Sequence, residues 1–162
     1  MDIKADRYTA HYTDDFVVVL IGLRINHWRR VTQWWPVLRG AFRMVDELRA
    51  MPDSPLLQSR AVVSLADRRL FFFVQHWRSV DELEKWANDP SLLHKPAWQN
   101  FFRRTGTNGH VGVWHEVYSV PAGQFEAIYA NMPRISLAEA GSYQPLRPAS
   151  KLRTRLGDGQ AT

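Results

Sequence analysis

Between Phe16 and Ile25 the chain reads FVVVLIGLRI, β-branched and almost unbroken in its apolar character. That is the pattern of a strand covered on both faces. Gly22 inside it marks a bulge or a point where something approaches the backbone closely. From Thr32 the spacing changes to threes and fours. Trp34, Trp35, Leu38, Phe42, Val45 and Leu48 form one apolar stripe of a helix running to about Ala50, with Thr32 as N-cap and Pro36 tolerated in the first turn. Pro52 to Pro55 stops it. Ser59 to Leu65 and Leu70 to Trp77 return to strand character and form a hairpin across Asp67-Arg68. Ser79-Val80-Asp81-Glu82 is a capping box, and the helix behind it turns Leu83, Trp86 and Ala87 to the core. Asn88-Asp89-Pro90 breaks that helix. A second helical piece covers Ala97 to Arg104, a loop follows over residues 105–109, and a last strand runs from His110 to Val120. After the Pro121-Ala122-Gly123 turn, Phe125 to Asn131 is short enough to be strand or helix.

The order β-α-β-β-α-β is the split βαβ arrangement of an α+β, ferredoxin-like domain. It occupies residues 16–133, between a polar N-terminal arm (1–15) and a loosely ordered basic tail (134–162) with no apolar period. Such a sheet carries helices on one face only, yet several of its strands are apolar on both. A second copy of the chain is the expected cover, giving a homodimer through sheet packing.

Composition narrows the picture. A chain of 162 residues is long enough for one domain with a real core. The absence of cysteine removes disulfides, thiolate metal sites and cysteine nucleophiles. The longest apolar run, Phe16 to Leu23, is too short to span a bilayer and lacks signal-peptide flanks, so a cytoplasmic protein is expected. The net charge is +5, with Arg134, Arg147, Lys151, Arg153 and Arg155 set against Glu139 and Asp158 in the tail. No aromatic residue interleaves with the tail's cations after Tyr143, so it reads as solvated, with neither nucleic acid nor membrane as partner. There is no dinucleotide fingerprint, phosphate loop or nucleophile elbow, and no metal-ligand spacing.

The candidate chemistry lies in histidines and tryptophans. His94 and Trp98 share a helical face if the helix starts early. His94 is either a base or haem ligand, or a helix-start ring packed on Trp98. On the last strand, alternation puts Val111, Val113, His115 and Val117 on one face. A histidine among valines is desolvated, which makes His115 either a catalytic or ligand-positioning group or a neutral core histidine. Glu116, on the other face with Trp114 and Tyr118, is expected to pair with an arginine such as Arg24, across the sheet or across a dimer. His76 sits at a strand end, lining a mouth or exposed. Trp34, Trp77, Trp98 and Trp114 are candidates for the walls of an aromatic cavity holding a hydrophobic small molecule, or they are core.

The run from His76 to Trp86, with Asp89-Pro90, resembles the antibiotic biosynthesis monooxygenase superfamily, the dimeric α+β barrel class. Trp34-Trp35-Pro36, His94-Lys95-Pro96-Ala97-Trp98, residues 112–118 (GVWHEVY), Val120 to Gly123 and Tyr129 to Pro133 resemble more closely the fumagillin-pathway monooxygenase-like family, a domain of unknown function. The resemblance covers about Phe16 to Gly141. It implies a monooxygenase-like enzyme acting on an aromatic or terpenoid-type molecule, with no cofactor required or with haem. In the cofactor-independent form, His115 or His94 takes a substrate proton and the anion reacts with dioxygen in a dry cavity. A haem-binding protein and a non-catalytic ligand carrier of the same fold are the alternatives. Haem-degrading members use a helix histidine, a tryptophan and an asparagine of the first strand. Trp86 corresponds to that tryptophan, whereas His94 lies about two positions early and Asn26 falls only at the strand's end.

Overall fold

In the computed structural model, which describes residues 3–105, 108–146 and 156, the strand from Phe16 to Ile25 sits inside a four-stranded antiparallel sheet. In chain order the elements are β1 (Arg7–His11), β2 (Phe16–Ile25), α1 (Val31–Ala50), β3 (Leu56–Val63), β4 (Leu70–Trp77), α2 (Val80–Asn88), α3 (His94–Arg104), β5 (Val111–Val120), β6 (Ile128–Ala130), α4 (Leu137–Ala140) and β7 (Ser142–Pro145). The main sheet has the order β3-β4-β2-β5, which leaves β3 and β5 as its edges. β2 through β5 with the helices between them give the ferredoxin-like β-α-β-β-α-β core.

Register divides the sheet into two faces. Val17, Val19, Ile21 and Leu23 of β2 stand opposite Trp77, Gln75, Phe73 and Phe71 of β4, all under the helices. There Val17, Val19, Ile21, Phe73 and Trp77 pack with Val45 and Leu48 of α1 and Trp86 of α2, and Leu23 and Phe71 belong to a neighbouring cluster. Because the side-chain period is two, Val18, Leu20, Gly22, Phe72, Val74, His76 and Trp114 take the outer face. Gly22 is a close-approach glycine: a Cβ there would lie 2.5 Å from both the Phe71 carbonyl oxygen and the Phe72 Cβ. Gly22 stands between Phe72 and Trp114 in the register, and their rings lie 6.1 Å apart.

The helix termini depart from expectation in small ways. α1 begins at Val31, with Arg30 at its N-cap and no side-chain cap bond, so Thr32 lies within the first turn. α2 keeps the forward half of its capping box, Glu82 N–H donating to Ser79 Oγ at 3.2 Å. The returning half is absent because Arg78 holds the Glu82 carboxylate at 3.2 Å. α3 starts three residues earlier than its apolar pattern, at His94.

The terminal segments carry more structure than their composition shows. Arg7–His11, read as arm, is the centre of a second sheet of order β6-β1-β7. Leu137–Ala140 and Ser142–Pro145, read as tail, form α4 and β7. Ala10, Phe16, Tyr129, Leu137 and Ala138 bury one another, so this sheet lies on the Phe16 end of the outer face. The chain therefore covers part of that face itself. Tail residues 147–155 and 157–162 lie outside the described residues. No helix of the described residues is long and apolar enough to cross a membrane.

Candidate active site

α3 carries His94, Trp98 and Phe101 at spacings of four and three, hence along one side. Phe101 packs into a cluster with Leu23, Ile25, Val111 and Val113, so this side faces the sheet over β2 and β5. The helix-facing row of β5 continues from Val111 and Val113 to His115 and Val117, which stand opposite Ile21 and Val19. At the other end of α3, His94 lies against Trp86, ring centroids 4.7 Å apart, and Trp86 rests on Trp77 at 5.2 Å. The helix is thus propped on the sheet at both ends. Between the props, Val117 below is 46% exposed and Trp98 above is 40% exposed. Floor and roof do not close on each other. His94 and Trp98 on the helix and His115 on the strand border this exposed stretch, while the Trp86 N–H is closed off from solvent behind it.

His94 is the best-prepared group of this stretch. Its Nδ1 donates to the Ala87 carbonyl at 3.0 Å, which fixes the proton on that nitrogen and leaves the Nε2 lone pair free. Trp86 supplies the complementary feature. It is buried, and its indole N–H has no hydrogen-bond partner among the described residues. A buried donor left unpaired costs about 1–3 kcal/mol, a cost a fold escapes by burying phenylalanine instead. A donor and an available imidazole lone pair on touching rings can serve the two ends of one polar group: the lone pair takes its proton, and the N–H steadies the oxygen anion that remains.

The other expected site residues separate from this pair. Trp77 is core: it is 1% exposed and its N–H donates to Gln75 Oε1 at 3.0 Å. Trp34 belongs to an aromatic corner with Trp28 and Trp35, its N–H bonded to the Trp28 carbonyl at 2.9 Å. Trp114 stands on the outer face beside Phe72. His76 is on the outer face too, buried, neither at a mouth nor exposed. Its Nδ1 donates to Gln58 Oε1 at 3.2 Å, Gln58 Nε2 donates to Glu139 at 2.9 Å, and Arg60 completes the chain at 3.2 Å. Desolvation pushes the His76 imidazole below its ordinary range, so it is held neutral.

Two further expectations are revised. His115 does lie on the face that alternation assigns, but it is exposed rather than desolvated. β5 is an edge strand, and α3 stands off its second half. Glu116 takes a hydrogen bond from the Tyr118 hydroxyl two residues on, while Arg24 pairs with Asp67 at 2.7 Å. Trp86 is a core residue by its helical spacing, and only the family resemblance gives it a further part, as the counterpart of the tryptophan of haem-degrading members. The signal available was its single obligatory donor, which every burial of tryptophan must answer. No group of three or more histidine, aspartate or glutamate side chains that could hold a metal ion occurs among the described residues.

A ferredoxin-like α+β domain whose helix layer lifts off the sheet over a histidine and an unpaired indole defines the class. Within that class, the model of the monooxygenase af470-like family matches residues 16–137, and the chain belongs to this family. The resemblance carried by residues 76–90 and 94–133 points the same way. Monooxygenase af470 of Aspergillus fumigatus is 25% identical over 138 residues. That match takes in 75% of this chain and 44% of the relative, so the chain spans less than half of that protein's length. Among solved structures, an aldoxime dehydratase shares the fold at a TM-score of 0.64 and 22% identity, over 86% of this chain and 40% of that one. An aldoxime dehydratase in complex with butyraldoxime gives 0.63 and 22%, over 79% and 38%.

Proposed function

We propose that the chain is a monooxygenase-like enzyme that oxidises a hydrophobic small molecule with an acidic O–H or C–H, such as a phenol or enol, in the groove between α3 and β5. The single observation that carries this is the His94–Trp86 pair: a free Nε2 lone pair beside an unpaired, buried N–H. His94 takes the substrate proton, and the Trp86 N–H, closed off from solvent in the unliganded fold, is uncovered by a shift of the neighbouring rings to bind the resulting oxygen anion. The electron-rich carbon bonds to dioxygen, and a methylene there becomes a carbonyl while the second oxygen atom leaves as water. Trp98, Val117 and Ile21 line the apolar seat. His115, across the groove, is placed to hold a polar end of the substrate.

A second reading is favoured by the same atom. A histidine whose Nδ1 is tied to a backbone carbonyl is set up to offer Nε2 to haem iron. His94 would hold such a group, with Trp98 one turn further along the helix. Haem would supply redox chemistry at iron when bound. One experiment separates the readings: oxygen consumption with phenolic substrates, with and without added hemin, wild type against His94→Ala. The first reading expects turnover without hemin and a loss of about 10²–10⁴-fold in the variant. Turnover only with hemin, together with a Soret band that the variant loses, supports the second. Full activity in His94→Ala under both conditions sinks both.

For assembly, we infer a homodimer through the part of the outer face that the second sheet leaves open, around Leu20, Phe72, Val74 and Trp114. These apolar side chains are half-buried within one chain. Light scattering should read twice the chain mass, and Trp114→Lys should return it to one.

A further inference from the structure

On the helix side of the sheet, at the edge opposite the groove, lies a second apolar surface that the proposed reaction does not use. Leu65, at the β3–β4 connection, is 93% exposed, and Trp35 on α1 is 52% exposed. Val31, Trp35 and Phe42 recur along one flank of α1 at spacings of four and seven, and all three are exposed, as are Trp28 and Val63. Phe42, Val63 and Trp28 each rest on strand β4. Phe42 packs on Phe73 with ring centroids 5.2 Å apart, Val63 pairs with Phe71, and Phe71 meets the Trp28 ring at 6.4 Å.

The charge around this surface has one sign. Residues 28–43 and 63–71 contain Arg29, Arg30, Arg39, Arg43, Arg68 and Arg69, all exposed, against a single acid, Asp67. That acid is already held by Arg24 at 2.7 Å. We propose that this arginine-rimmed patch docks the protein on an anionic lipid membrane. Arg39 follows Trp35 by one turn and Arg43 follows Arg39 by another, so a cationic stripe runs beside the apolar one. Interfacial helices have this layout: tryptophan and aliphatic tips enter the headgroup region while arginines reach the phosphates. A nucleic-acid backbone would use the six arginines but has no place for Leu65, Val31 and Val63. A second copy on a two-fold axis would set six arginines against six. The charge was not legible as a patch in the sequence because it is split between two segments brought together by the fold.

The test is vesicle flotation of the full chain at moderate salt, using phosphatidylcholine vesicles with and without one-quarter phosphatidylglycerol. The protein should float with the anionic vesicles only. Leu65→Ser, at a position too exposed to affect folding, should lower the bound-to-free ratio roughly tenfold. Arg39→Glu with Arg43→Glu should lower it at least about 30-fold. Circular dichroism of each variant confirms that its fold is retained. No flotation with anionic vesicles overturns the proposal. So does binding to a 30-base-pair DNA duplex that outcompetes the vesicles and ignores Leu65→Ser, or self-association in light scattering that Leu65→Ser abolishes.

Discussion

His76 and His94 lie on opposite faces of one sheet, and each donates through Nδ1 to an amide oxygen. What stands beyond that bond differs. From His76 the hydrogen bonds continue through Gln58 and Glu139 to Arg60, joining β4 and β3 to α4. Gln58 and Glu139 are bonded on both sides, Arg60 ends the chain with its buried Nε unpaired, and the ring itself is buried against Phe16, centroids 5.9 Å apart. The chain clamps the terminal segments onto the outer face. From His94 the contacts run instead to the Trp86 ring and stop at an indole N–H with nothing to bond. A polar chain that ties three elements together describes a joint within the protein, and one that stops after a single contact leaves a donor for a molecule that is not the protein.

The sharpest way to break this contrast is at Trp86. Trp86→Phe keeps an aromatic ring between Trp77 and His94 and removes only the N–H. If that donor stabilises an oxygen anion, kcat should fall by about 10²–10³-fold with little change in KM. Removing an unsatisfied buried donor should leave Tm unchanged or slightly higher. A variant with wild-type kcat would make the unpaired N–H an accident of packing and return Trp86 to the core role that the sequence alone gives it.

That role shows where legibility ends. The strand Leu70–Trp77 and the alternation that sends His115 under the helices could both be read from the pattern, because both follow from the period of a single strand. The exposure of His115 could not. It depends on how far α3 stands off the edge of the sheet, which is set by Phe101 at one end and Trp86 at the other. The second sheet was equally hidden. Its strands have five, three and four residues, too short for their apolar members, Tyr8 and Ala10, Ile128 to Ala130, and Tyr143, to show a period. His76 was misplaced for the same reason, since the elements that bury it come from those terminal segments.

The His76 side of the comparison makes a smaller prediction, on stability and pH. His76 has its ionisation lowered from the ordinary value of 6.5 by burial, so the folded chain resists a proton that the unfolded chain accepts. Below 6.5 the unfolded state therefore binds more protons, and stability must fall as pH falls. The loss begins near 6.5 and ends once the pH drops below the lowered folded value. Its slope cannot exceed about 1.4 kcal/mol per pH unit for one group. The groups along its hydrogen-bond chain are Gln58, Glu139 and Arg60, and none offers a charged partner in direct contact with the ring. In chemical denaturation between pH 7 and 5, His76→Gln should flatten the pH dependence. It keeps a donor for Gln58 but has nothing to titrate. An equal slope in wild type and variant would mean that His76 does not sense protons, and that carboxylates elsewhere carry the acid sensitivity.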